Sequence, residues 1–461
     1  MKFLGPSATV ALLAYAIYSW GTFIYHNAIV FGFLRTYPPS TLVQQEDVVY
    51  IPDTVHCEDL HYHAPSKTLF TACEDHPETR FQWFPPLTNF NDSSILKTYH
   101  GSLHAIDPEV SPKHFVPALV RETQSLTPLK AKKSTRLAVE NFDGPFITHG
   151  IEVISDPEQP NAVYIYAVNH LPNPEPVIAI HPPPADVPKA RSQIEVFHHV
   201  LGTTTATHLR SVWHPLIRTP NDLIVTSPTS LYVTNDHFYR DHSIMRSLED
   251  IYPNAKWTDV IFLQFSLEAP STPAETDALA GVTATVALDK FHNANGLGHG
   301  RYDDEVAIAS AASGVLSISQ LPSASTSKSH MITVLERIEF DSTIDNPSYF
   351  LDPYAGTADG VDHSGFVVAG LGKAHTLAET CTKPEAKDPV TVWFAKPVQQ
   401  EGGRVVWEKR LLFEDDGSRI RSASAAVLVA IDPEKEGGKR KAWLYVTGFV
   451  SSSVVAVKVD L

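Results

Sequence analysis

Five oxygen-bearing side chains recur at one kind of place in this chain. Glu58, Asn221, Asn295, Asp345 and Asn346 each lie just ahead of a different apolar run, the last two as an adjacent pair. Calcium takes about six to eight oxygen ligands from carboxylates, amide carbonyls and backbone carbonyls. Two carboxylates and three amides supply hard donors with little excess charge, and no Cys and His spacing suits a softer metal. Asn and Asp also form turns, because their side chains bond nearby backbone. Any one of these residues reads as a turn former, whereas five at equivalent positions point to a shared ligand set.

Two histidines suit acid–base work, since imidazole titrates near neutrality. His149 precedes Gly150 at the entrance to an apolar run, and His170 closes that run as Val168-Asn169-His170. One could act as base and the other as its orienting partner. Among 22 histidines such a pair carries little by itself. There is no Gly-x-Ser-x-Gly elbow, Walker-type phosphate loop or dinucleotide fingerprint in the required strand–helix context, which removes support for serine-nucleophile chemistry.

The elements that must position these residues are strands. Short runs rich in β-branched and aromatic residues come in pairs: Thr68–Cys73 with Gly101–Ile106, Ala162–Val168 with Gln193–His198, and Ser230–Thr234 with Asp259–Phe265. Glu305–Ala309 with Gly314–Ser319, Gly365–Ala369 with Val390–Ala395, and Ala442–Thr447 with Ser453–Val459 complete the series. The runs are apolar on both faces, as strands packed between neighbouring sheets must be, and a regular pair-then-gap order marks a radial array. The expectation is an all-β chain folded as a six-bladed β-propeller. Polar stretches at Phe81–Tyr99, Ser125–Thr135 and Glu268–Ala280 read as surface loops. Asp241–Ile251 has helical spacing, with Ile244, Leu248 and Ile251 on one face, and reads as an ordinary packed surface helix.

From Phe3 to Leu34 there is no Asp, Glu, Lys or Arg. About 20 apolar residues cross a bilayer as a helix, whereas the apolar part of a cleaved signal runs to about 7–15. Residues 1–37 therefore read as an uncleaved, single-pass membrane anchor helix, and 38–461 as one propeller domain. Lys2 and Arg35 balance, so charge does not orient the anchor. The sequon Asn91-Asp92-Ser93 suits a luminal or extracellular domain. A net charge of −16 argues against a nucleic-acid partner. Of three cysteines, Cys57 and Cys73 flank the first pair of runs and could meet, but all three read as buried free thiols.

Taken in order, Glu58-Asp59-Leu60, His149-Gly150-Ile151, Val168-Asn169-His170, Asn221-Asp222-Leu223-Ile224-Val225, Thr234-Asn235-Asp236-His237, Ala294-Asn295-Gly296 and Ile344-Asp345-Asn346 resemble the serum paraoxonase/arylesterase family. That resemblance implies a six-bladed propeller with two calcium ions in its tunnel. It implies Glu58, Asn221, Asn295, Asp345 and Asn346 around a catalytic calcium. Asp59, Asp222 and the backbone carbonyl of Ile151 would surround a structural one. It implies His149 and His170 as the base system, with Glu58 as an alternative base, and lactones or aryl esters as small-molecule substrates. A non-catalytic, calcium-stabilised binding propeller is the rival reading, and a sugar-lactone hydrolase a further one. Val457–Leu461 lacks the cysteine with which the family closes its ring, which leaves closure to strand pairing with the N-terminal segment. Gly370-Leu371-Gly372 stands where mammalian members carry Cys-His.

Overall fold

The paired apolar runs are neighbouring strands in every case. Thr68–Glu74 pairs with Gly101–Ile106, Ala162–Asn169 with Gln193–Val200, and Ser230–Asn235 with Thr258–Gln264, all antiparallel. Glu305–Ser310 pairs in the same way with Val315–Gln320, Gly365–Leu371 with Val390–Gln399, and Lys441–Gly448 with Val454–Asp460. The computed structural model describes residues 18, 20–36, 48–108, 134–174, 187–268, 278–322, 330–356, 360–400 and 402–461.

Two further strands flank each pair, and the sequence signal for both is weak. On the inner side lie Leu60–His63, Thr148–Ser155, Pro220–Ser227, Ala294–His299, Pro347–Phe350 and Ala423–Ile431. Each carries a polar residue at its first or second position, which interrupts an apolar run. On the outer side, strands such as Thr283–Phe291 and Thr333–Glu339 are largely exposed and alternate. The described strands form four sheets of four strands, one of eight and one of two. In the eight-stranded sheet, two four-strand runs join through a parallel pairing of Thr205–Thr207 with Ala138–Glu140.

The inner strands touch one another in sequence order, and Ala423–Ile431 returns against Leu60–His63. The sheets therefore stand around a tunnel in a propeller-like arrangement. The core lies between adjacent sheets rather than at a single centre. Val196, Leu223, Val233 and Ile261 fill one such gap, and Ile308, Tyr232, Val260 and Leu297 the next. That placement explains why the middle strands are apolar on both faces. Val48–Ile51 adds to Val454–Val457, so the two ends of the described fold close the last sheet by strand pairing.

Several sequence expectations change here. Cys57 and Cys73 form a disulfide, and only Cys381 stays a buried free thiol. A bridge between Val55 and Glu74 draws the two segments together, a long-range pairing that spacing does not reveal. The stretch Phe81–Tyr99 is no surface loop. Its helix Glu78–Gln82 and hairpin Trp83–Phe84/Asn89–Phe90 bury Phe81, Trp83, Phe84 and Leu96. Most of Ser125–Thr135 and Glu268–Ala280 lies outside the described residues.

The helix Ile244–Ile251 is inverted relative to its pattern. Ile244 is 88% exposed and Ile251 49%, while Arg246 and Glu249 are buried. Glu249 accepts the amides of Phe238 and Tyr239, and Arg246 donates to the carbonyls of Tyr239 and Pro86. Paired polar groups thus hold the helix down, and its apolar side faces outward.

Much of the stretch 1–37 lies outside the described residues. Its described helical part, over residues 20–30, docks through buried Val30, whose carbonyl accepts Thr343 N. Asn27 donates to Ile251 O at 2.9 Å and Phe23 meets Tyr252 edge to face. Trp20, Ile24 and Tyr25 stay exposed beside Ile244, Met245 and Leu248. Among the described residues no helix is long and apolar enough to cross a membrane.

Two outcomes are expected from this packing. Ile51 is fully buried in the closing strand, so Ile51→Ala should lower the unfolding free energy by about 2–5 kcal/mol in denaturant titrations. Burial, reinforced by the Arg136 guanidinium, lowers the pKa of His104 to about 4. Its folded form then stays neutral where the unfolded chain protonates, so stability should fall as pH drops below the unfolded value of about 6.5 and level off near 4. His104→Gln should remove that share of the slope in thermal melts across the window.

Candidate metal and imidazole site at the tunnel mouth

Four of the six inner strands share a local irregularity. Register shifts occur at Thr148/Ile151, Pro220/Leu223, Ala294/Leu297 and Ala423/Ala426, one near the start of each strand. A bulge re-aims a side chain and bends the strand. His149, Asn221 and Asn295 sit within these shifts, while Glu58, Asp345 and Asn346 precede the inner strands of two other sheets. Close approach is built in by glycine. A Cβ on Gly296 would lie 2.6 Å from Asn346 Oδ1, and one on Gly150 2.5 Å from Asp222 Oδ1.

The five residues singled out as a ligand set converge. Asn346 Nδ2 donates to Glu58 Oε1 at 2.9 Å, and Asn221 Nδ2 to Asp236 Oδ2 at 3.4 Å. Each of the five keeps a buried oxygen with no hydrogen-bond partner: Glu58 Oε2, Asn221 Oδ1, Asn295 Oδ1, Asp345 Oδ1 and Asn346 Oδ1. Buried acceptors are normally satisfied. Five orphans of one chemical kind in one place fit a hard cation, which would take all of them at once.

Asp59 and Asp222 stand differently. Asp59 accepts Leu60 N at 2.7 Å and Ile151 N at 2.9 Å; Asp222 accepts Leu223 N and Leu297 N, both at 2.7 Å. All four of their oxygens are thus engaged by backbone amides, though a carboxylate oxygen keeps a further lone pair for a cation. Ile151 reaches this pair through its amide.

Charge is the dominant feature of the tunnel. Burial pushes Glu58, Asp222 and Asp345 well above the usual carboxylate range, and their carboxylate neighbours push them further. Burial likewise raises Asp59 to about 7. Unpaired ionised carboxylates away from water are costly by several kcal/mol each. Close by, the fully buried Arg80 offsets part of this. It donates to His56 O and Thr148 O and lies 3.7 Å from Glu74 Oε1.

The histidines meet as their positions suggested. His170 Nε2 lies 3.0 Å from His149 Nδ1, and His170 Nδ1 lies 2.8 Å from Ser192 Oγ. Burial and then Arg80 lower His149 to about 3, and burial with His149 holds His170 well below the usual range. Both rings are therefore neutral near pH 7, the form that accepts a proton. His149 Nε2 is 3.9 Å from Glu58 Oε1, which joins the imidazole pair to the oxygen cluster.

Sequence reasoning missed the cover of this site. Trp83 Nε1 donates to His170 O at 2.9 Å, Phe84 packs edge to face on both imidazoles, and Arg80 stacks over Phe84 at 4.1 Å. Trp83 and Phe84 belong to the stretch read as a loop, where only its aromatic content signalled burial, and Arg80 lies just ahead of it. Asn235 does not line the site, because its side chain holds the backbone of Arg218 and Thr219 and the carboxylate of Asp259. His237 is raised to about 9, since Asp236 and Asp250 outweigh the opposing effects of burial and Arg246.

Residues 103–269 match the arylesterase family model. The chain is 25% identical over 257 residues to serum paraoxonase/arylesterase 1 of Mus musculus, covering 56% of this chain and 59% of that protein. It is 28% identical over 135 residues to serum paraoxonase/arylesterase 2 of Gallus gallus, with coverage of 29% and 32%. Serum paraoxonase/lactonase 3 of Rattus norvegicus matches at 30% over 114 residues, with coverage of 25% and 26%. The chain thus carries an arylesterase-family stretch and is a distant relative of the serum paraoxonases, aligned over less than two thirds of their length.

The glycine at the oxygen cluster provides a direct check. Gly296→Ala should push Asn346 aside and weaken divalent-cation binding by tenfold or more, an order set by the loss of about one good ligand contact. Calorimetric titration with calcium reads this, and circular dichroism reports whether the fold is retained.

Proposed function

We propose that the chain is a calcium-dependent hydrolase of lactones and aryl esters, built as a six-bladed β-propeller. The observation that carries this reading is the set of five buried, unpartnered oxygens beside a neutral imidazole pair. Glu58, Asn221, Asn295, Asp345 and Asn346 would hold one calcium ion. A second would lie with Asp59, Asp222 and the Ile151 carbonyl as a structural ion. Calcium bound in the oxygen cluster would polarise a substrate carbonyl and stabilise charge developing on its oxygen.

The chain's own residues supply the rest. His149 takes a proton from the attacking water, and His170 holds that ring in orientation while Ser192 fixes His170 in turn. Burial and then Arg80 keep His149 neutral at the cost of basicity, which a negative charge beside the ring has to restore. Trp83 and Phe84 shield the imidazoles from bulk water. Glu58 stands as an alternative base at 3.9 Å from His149.

Attachment to a membrane through the N-terminal segment belongs to the same proposal. Exposed Trp20, Ile24, Tyr25, Ile244 and Leu248 form an outward apolar surface beside that segment. Trp and Tyr favour the membrane–water interface. The exposed sequon residue Asn91 fits a luminal or extracellular propeller.

The test is hydrolysis of a panel of γ- and δ-lactones and aryl esters by the protein in detergent, with calcium and after chelation. Turnover should need calcium. His149→Gln should lower kcat by about 10²- to 10⁴-fold while the calcium-dependent rise in Tm persists. Asp222→Ala should instead lower Tm, since a metal that binds only the native state adds stability. A folded, calcium-loaded protein without turnover would favour a binding propeller.

A further inference from the structure

Beside the imidazole pair lies a narrow pocket with an unexpected charge balance. Its lining includes His170, Asp236 and Asp241 together with Lys189, Arg218, Arg240 and Arg246. In a chain of net charge −16, four cations around one opening are conspicuous. Two of the acids in reach are matched, while Asp241 also lines the pocket, keeps Oδ1 without a hydrogen-bond partner and acts on Arg240. Asp236 lies 3.1 Å from the protonated His237, Asp259 takes Arg218 Nη2 at 2.5 Å, and Asp241 lies 3.8 Å from Lys189 Nζ.

Two arginines keep donors to spare, and a third is held only by carbonyls. Arg218 Nε is buried without a partner. Both hydrogen-bonding nitrogens of Arg246 are given to carbonyls, and its charge acts on Asp236 without a direct ion pair. Arg240 is half-buried, and its side chain makes no hydrogen bond or ion pair among the described residues. Burial and then the charge of Arg218 lower its pKa, so the two guanidiniums disfavour one another. Like charges held together in a partly dry pocket are costly, and an anion between them relieves that cost.

We propose that this pocket is an anion subsite, and that the preferred substrate is an ester or lactone bearing a carboxylate or phosphate group. This rests on the hydrolase reading above. The anion lies against Arg240 and Arg218 Nε, with Arg246 adding its charge. The reacting carbonyl then sits on the His170 side, towards the oxygen cluster. The protein's overall negative charge repels anions at long range but is screened within about 10 Å at ordinary salt. The local cluster therefore decides selectivity.

The experiment compares kcat/KM for paired γ-lactones that differ only in a side chain ending in carboxylate or in carboxamide. The full chain should prefer the carboxylate by about ten- to a hundredfold, the range for a hydrogen bond to a charged group. Arg240→Met should collapse that ratio towards one, and Arg240→Lys should keep part of it. Turnover of the carboxamide without a preference for the carboxylate overturns the subsite and leaves the hydrolase reading standing. A preference that survives Arg240→Met also overturns it. If neither lactone is hydrolysed, the hydrolase reading fails, and calorimetry with 4-phenylbutyrate, phenylphosphonate and 4-phenylbutanamide decides the subsite alone. Binding of either anion, weakened tenfold or more by Arg240→Met, upholds it and separates carboxylate from phosphate. Equal binding of the three overturns it.

Discussion

Carboxylates brought together out of water repel one another, and this repulsion organises the centre of the molecule. Glu58, Asp59, Asp222 and Asp345 are all driven upward by burial and by one another. Hydrogen bonds relieve two of them: Asp59 and Asp222 each accept two backbone amides. Glu58 and Asp345 keep oxygens with no partner. A fold that tolerates this needs positive charge at the tunnel, and Arg80 supplies part of it.

The surrounding architecture serves that demand. Inner strands that bulge at equivalent places turn polar side chains inward, while the middle strands continue as buried apolar layers. The energy of folding sits between the sheets, so the tunnel is free to carry groups that oppose folding. The aromatic cover over His149 and His170 extends this logic. By excluding water, Trp83 and Phe84 keep the imidazoles neutral and strengthen every electrostatic interaction beneath them.

The rim works in the opposite sense. Helix Ile244–Ile251 buries Arg246 and Glu249 and turns its apolar residues outward. The buried arginine lines the pocket by His170, and the backbone carbonyl of Ile251 accepts Asn27 of the N-terminal helix. One short element therefore joins an anion-friendly pocket to an apolar exterior, a combination suited to amphiphilic esters with a charged end.

The sequence alone determined the strands that bury both faces, because an apolar run such as Ala162–Val168 has one physical solution in an all-β chain. It also singled out the oxygen-bearing residues ahead of the strands and the two histidines that the structure sets 3.0 Å apart. Only the tertiary structure decided the inner and outer strands, whose polar starts and exposed faces leave no clear period. It decided the Cys57–Cys73 bond and the cover by Phe81–Phe90, which depend on contacts between segments rather than on local pattern. It reversed the expected face of Ile244, Leu248 and Ile251, because the carbonyl of Pro86 and the amides of Phe238 and Tyr239 reach Arg246 and Glu249 only in the folded chain. Periodicity records which residues share a face; which face turns inward depends on what the rest of the chain brings against it.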